Sequence, residues 1–187
     1  MLSVAKLEFN KKKFLETNQK YNIFTQELEA FLGDDFYTSP ASSTTNMYGC
    51  YPGGLLHILI KACKYSIQVN DLLPEPLRQD IPSIVRSTFM SQIGKVFLYC
   101  PNKNEWQLKS GKLYDYCDNI VNFRVGEKSL YYALINKVIL SESEAQAILN
   151  IDKDNEDKMA KYYSEPLTQI IKMGFDLAIV EEKNGKK

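Results

Sequence analysis

A single histidine, His57, sets the first limit on the chemistry available to this chain. Intracellular metallohydrolases usually hold their metals with several imidazoles and carboxylates. One imidazole rules out a histidine-rich centre, so a metal site would have to be built from carboxylates. The four cysteines are Cys50, Cys63, Cys100 and Cys117, and no two form a CxxC pair. That spacing suggests neither a zinc knuckle nor a dithiol redox motif. Reduced, packed thiols are expected instead. Nucleophilic catalysis is poorly served: Ser91 lacks a G-x-S-x-G surround, and Cys100 has no second histidine to activate it. His57, alone and without a carboxylate beside it, reads as structural.

Three weaker constellations remain. Asp152-Lys153-Asp154-Asn155-Glu156-Asp157 has the composition of a calcium loop's start. An EF-hand needs Gly at its sixth position and Glu at its twelfth, where this chain has Asp157 and Tyr163. A solvated linker is the expectation. Gly53-Gly54 could aim backbone N–H groups at an anion, but a tight turn into the next helix is favoured. Lys95, Arg124 and Lys128 are the basic residues to watch, with ordinary surface charge as the default reading of any three such residues. Arg124 and Lys128 are four apart and share a helix face if the helix begins early, and Glu127 could pair with them.

The elements that must position these residues are mostly helical. Residues 11–32 read as one amphipathic helix, with Phe14, Leu15, Ile23, Phe24, Leu28, Phe31 and Leu32 near helical spacing and Gly33 as its stop. Residues 34–53 carry loop chemistry, including Pro40, Gly49 and Pro52. A loop of about 20 residues is long enough to suggest an ordered or functional one. Helices are expected at 53–70, 81–95, 126–136 and 141–150, the last opened by Ser141 and Glu144 as a capping box. Residues 72–82 are a proline-rich connector, and 96–112 read as irregular rather than as a hairpin. An acidic linker at 152–158 leads to a final helix at 159–182 and a charged tail. The expected organisation is an N-terminal helix over 1–33 packed on or capping a bundle at 34–182, with a tail at 183–187.

The 187 residues suit one domain with a sizeable core. Lys plus Arg and Asp plus Glu both number 23, which argues against general nucleic-acid binding. No stretch approaches the run of about 18 apolar residues that a membrane helix needs, and the N-terminus lacks a signal layout. A cytoplasmic protein is expected.

The order of several motifs carries a resemblance. Phe36-Tyr37-Thr38-Ser39-Pro40-Ala41-Ser42-Ser43 precedes Tyr48-Gly49-Cys50-Tyr51-Pro52-Gly53-Gly54-Leu55-Leu56-His57-Ile58. Phe89-Met90-Ser91-Gln92-Ile93-Gly94-Lys95 and Phe123-Arg124-Val125-Gly126-Glu127-Lys128-Ser129 follow. Leu140-Ser141-Glu142-Ser143-Glu144-Ala145-Gln146-Ala147-Ile148 and Gly174-Phe175-Asp176-Leu177-Ala178 complete the succession. It resembles the HD-domain superfamily of metal-dependent phosphohydrolases, closest to small HD proteins of gut bacteria and their phages. The resemblance covers roughly residues 36–180 and implies a helical bundle.

It also implies a loss. The family's metal histidines match Tyr48, Ile58, Val125 and Ile151, and its signature His-Asp pair matches Ser91 and Gln92. Only the late aspartate is kept, as Asp176. Such enzymes use one or two metals to acidify a water and hold a phosphate. Isoleucine and valine offer no lone pair, so metal and nucleophile are both expected to be missing, with no cofactor. The leading expectation is therefore a catalytically inactive HD protein, a pseudoenzyme, with a binding, structural or regulatory role. A protein partner or self-association comes first. One alternative is an active nucleotide phosphohydrolase using Asp176 and residues 152–157. Another is a metal-free nucleotide sponge gripping phosphate through Lys95, Arg124 and Lys128.

Overall fold

The computed structural model describes residues 2–152 and 165–185. Helix α1 is Val4–Tyr21, opened by Ser3, whose hydroxyl accepts from the Lys6 amide. It closes at Asn22 with a left-handed φ of 49°, and Thr25 then caps a second helix, α2, Gln26–Leu32. The single helix expected at 11–32 is thus two. The apolar rhythm crosses the break because both helices bury onto one core: Phe14, Ile23, Phe24, Leu28 and Leu32 are all buried there. Asn and Thr are residue types suited to a C-terminal and an N-terminal cap, so the break is written locally.

A short helix, α3, Asp35–Thr38, interrupts the expected loop. The remainder is held by its own hydrogen bonds: Ala41 N donates to Gly49 O at 2.8 Å, and Ser42 Oγ donates to Tyr48 O at 2.8 Å. Helix α4 spans Gly54–Leu72, and a 3-10 turn, Glu75–Leu77, connects it to α5, Ile81–Met90. The helix expected to reach residue 95 ends early, at Ser91. The chain turns there and passes through a second 3-10 segment, Ile93–Lys95.

Residues 99–116 correct two expectations. Strands β1, Tyr99–Pro101, and β2, Tyr114–Tyr116, pair antiparallel, with Tyr99 facing Tyr116. A helix, α6, Glu105–Lys109, lies between them. Three-residue strands are too short to print a period-2 pattern, which is why the segment reads as irregular in sequence. Cys100 and Cys117 are joined in a disulfide, with Cα atoms 5.0 Å apart, rather than standing as free thiols. Cys50 and Cys63 are buried and outside the disulfide, and burial pushes the Cys63 thiol up to about 12.

Helix α7 is Val125–Ile135, α8 is Glu142–Leu149 and α9 is Pro166–Asn184. The Ser141–Glu144 capping box forms: Glu144 N donates to Ser141 Oγ and Ser141 N to Glu144 Oε2, at 3.2 and 2.9 Å. The calcium-like stretch beyond Asp152, and the start of the helix expected from 159, lie outside the described residues. The fold is a mostly helical bundle. Its central pair is α4 and α9, which meet where Gly174 faces α4. A Cβ there would stand 2.0 Å from Ser66 Oγ and 2.8 Å from the Ala62 carbonyl. Phe14 reaches the same core from α1, its ring against Phe24, Phe36 and Phe89. The first 33 residues therefore help build the bundle's interior. Among the described residues no helix is long and apolar enough to cross a membrane.

Candidate functional site

Most of the residues picked out by the resemblance are buried or packed against the core. Ser91 is fully buried; its hydroxyl donates to Thr88 O at 2.9 Å. Its carbonyl accepts from Ser129 Oγ on α7 at 3.0 Å, and Ser129 Oγ accepts in turn from Gly94 N at 2.9 Å. Gly94 is needed for this latch. A Cβ would lie 2.6 Å from the Val125 carbonyl and 3.0 Å from Lys128 Cβ. Gln92 is buried beside them. Lys95 is only 8% exposed; its Nζ donates to Ala41 O and to Tyr48 Oη, each at 3.1 Å. Ile58 is core, and Tyr48 and Ile151 pack against the same cluster. Gly126 N, in the first turn of α7, donates to Asp152 Oδ2 at 2.8 Å.

Three of the nominated residues stand differently. Asp176 is exposed on α9 and forms no hydrogen bond or ion pair with that cluster among the described residues. Arg124 is exposed at the start of α7, while Lys128 is half-buried with its Nζ 5.9 Å from the Tyr132 ring centre. The two cations therefore share the opening of α7, but Lys95 points inward and away from solvent. No three His, Cys, Asp or Glu side chains gather closely enough to hold a metal among the described residues. At Gly53-Gly54 the tight turn forms: Gly53 N donates to Thr38 O at 2.8 Å and Gly54 N to Tyr51 O at 2.9 Å. Those amides are committed internally.

A second polar cluster was not foreseen. His57, on the first turns of α4, lines a cavity of about 620 Å³ together with Tyr51, Lys61, Tyr114 and Glu182. Tyr51 Oη lies 2.9 Å from His57 Nδ1 and donates to Glu182 Oε1 at 2.8 Å. Lys61 Nζ reaches both Glu181 and Glu182 at 3.3 Å, and Tyr65 Oη donates to Glu181 at 2.8 Å. Burial, then the hydrogen bond and charge of Glu182, raises the Tyr51 phenol well above its ordinary value. Burial and the Lys61 charge lower His57, against the opposing pull of Glu182. Burial pulls the Glu182 carboxyl upward, but its bonds from Tyr51 and Lys61 outweigh that and hold it below the usual range. His57 and Lys61 are one helical turn apart, a spacing visible in sequence. Tyr51 and Glu182 are 131 positions apart, and no local signal joins them.

A smaller, mainly apolar hollow of about 330 Å³ lies between Tyr21, Ile60, Ile67, Val85 and Phe89, with Lys13 and Lys64 also on its wall. Compared with family models, curated proteins and solved structures, the chain finds no match.

Proposed function

We propose that this chain is a catalytically inactive HD-like protein that acts by binding, with a protein as its partner. The observation carrying this reading is the commitment of the signature region to internal bonds. Ser91, Ser129 and Gly94 satisfy one another, and the Lys95 amine is spent on a backbone carbonyl and a phenol. Ile58 belongs to the core cluster, and Ile151 and Tyr48 pack against that cluster. Aliphatic carbons there give a cation nothing to hold, and buried polar groups already paired resist being redeployed. A protein partner is favoured by the outer face of α7. Tyr131, Leu134 and Ile135 are exposed there, Phe123 stacks on Tyr131, and Ile139 follows just beyond the helix. Exposed apolar patches of this kind mark interaction surfaces.

Metal analysis of the purified protein, run with a phosphatase assay over nucleotides and phosphate esters, tests the inactive reading. The expected result is substoichiometric metal and no turnover. Stoichiometric manganese, iron, nickel or zinc, with turnover abolished by Asp176→Ala, overturns it.

Metal-free phosphate binding is a second reading, favoured by Arg124 and Lys128 at the opening of α7. On this reading a nucleotide raises the melting temperature by binding the folded state, and the shift disappears in Arg124→Ala/Lys128→Ala. Lys95 contributes only if its two internal bonds break. The Cys100–Cys117 disulfide stands against the cytoplasmic expectation, since such bonds persist in oxidising surroundings.

A further inference from the structure

The cavity beside His57 uses none of the lost metal-ligand positions, and its chemistry does not depend on the reading above. Its proton arrangement follows from counting donors. Tyr51 carries one hydroxyl proton, and an ionised carboxylate can only accept. The Tyr51 proton therefore goes to Glu182 Oε1, 2.8 Å away. Tyr51 oxygen can then only accept from His57 Nδ1 at 2.9 Å. A neutral imidazole carries one N–H, so that proton sits on Nδ1 and Nε2 keeps a lone pair. Nε2 has no hydrogen-bond partner among the described residues. Charged groups face the ring from three elements: Lys6 on α1, Lys61 on α4, and Glu181 and Glu182 on α9. Burial and the lysines keep the ring neutral at neutral pH.

We propose that this cavity is a binding site for a small, largely apolar molecule bearing a hydroxyl or N–H, which His57 Nε2 receives as hydrogen-bond acceptor. Three observations carry it. The volume of about 620 Å³ lies within the range of small-molecule sites. The wall combines the apolar Leu2, Pro52 and Leu113 with a few polar groups, His57, Tyr51, Lys61 and Glu182 among them, the usual division between affinity and orientation. The acceptor is set in advance: Glu182, only 8% exposed and also bonded to Lys61, fixes Tyr51, which fixes the tautomer. A ligand then meets a ring that need not reorganise, which lowers the cost of binding. At His57 the selectivity is for donors, since an ether or a ketone offers Nε2 nothing.

The lone histidine makes the test direct, because ¹⁵N-histidine labelling of the full chain reports one ring. The free protein is expected to show Nδ1 protonated and Nε2 bare at neutral pH. The probe is 2-naphthol, with 2-methoxynaphthalene as its donor-deleted partner. Naphthol is expected to shift the Nε2 resonance saturably and to bind about tenfold more tightly than the ether, the worth of one good hydrogen bond. Tyr51→Phe is expected to release the tautomer and abolish that preference while keeping the helical circular-dichroism signal. A cluster that merely ties α4 to α9 would leave Nε2 unmoved by naphthol. That outcome, an Nε2–H tautomer in the free protein, or equal binding of the two probes overturns the proposal. The comparison of naphthol with its ether uses the unaltered chain, so it decides even if the Tyr51 variant fails to fold.

Discussion

Lys95 is a long cationic side chain held inside the fold. Its ammonium is buried yet satisfied in part by Ala41 O and Tyr48 Oη. Lys95→Met keeps most of the stem and removes both bonds, leaving a buried carbonyl without its donor. A loss of about 1–3 kcal/mol in urea unfolding is expected. An unchanged midpoint would mean the amine contributes nothing there. His57 supplies the pH dependence at this scale. Its folded value lies below its ordinary 6.5, so on acidification the unfolded chain takes up this proton first. Stability from this group is therefore complete above 6.5 and falls as pH drops through the folded value. Urea midpoints between about pH 7 and 5 should decline, and His57→Gln should flatten that part of the curve. Glu182, held low, adds its own loss only at more acid pH, below its ordinary 4.5.

At the scale of elements, the α4–α9 crossing depends on a missing side chain. Gly174 lets α9 approach until a Cβ would overlap Ser66 Oγ and crowd the Ala62 backbone. Gly174→Ala is expected to cost about 1–3 kcal/mol or more, the range for overpacked cores, even though alanine is the better helix former. The same substitution tests the His57 cavity from a distance, because Tyr51 and Lys61 on one side meet Glu182 from α9 on the other. Reduced helix packing should appear as lower hydrogen-exchange protection in both helices together.

For the whole molecule, exposed apolar residues sit on several elements, and α7 carries a run of them. Leu134, Ile135 and Ile139 are 60, 49 and 88% exposed, while the opposite side of α7 packs inward through Ser129, Tyr132 and Ala133. If this face docks a protein, Leu134→Lys/Ile139→Lys should abolish complex formation in co-purification while leaving the melting temperature nearly unchanged. Surface substitutions away from special features usually cost under about 0.5 kcal/mol. Retained binding by that variant, or a collapsed melting temperature, would remove α7 as the interface.

The amino-acid sequence alone determined what is encoded within a few residues: the apolar rhythm of α4 and α9, the Ser141–Glu144 box, and the shortage of imidazoles. These are short-range properties, because periodicity and capping act over one or two turns. The break at Asn22 was also local, but a continuous apolar pattern hid it. Tertiary structure decided the Cys100–Cys117 bridge, the inward turn of Lys95 and the meeting of Tyr51, His57 and Glu182. The last two depend on segments brought together by burial of the core, and buried apolar surface has no direction of its own to record in the chain which distant polar groups it will place side by side; the bridge instead clips a partly exposed hairpin.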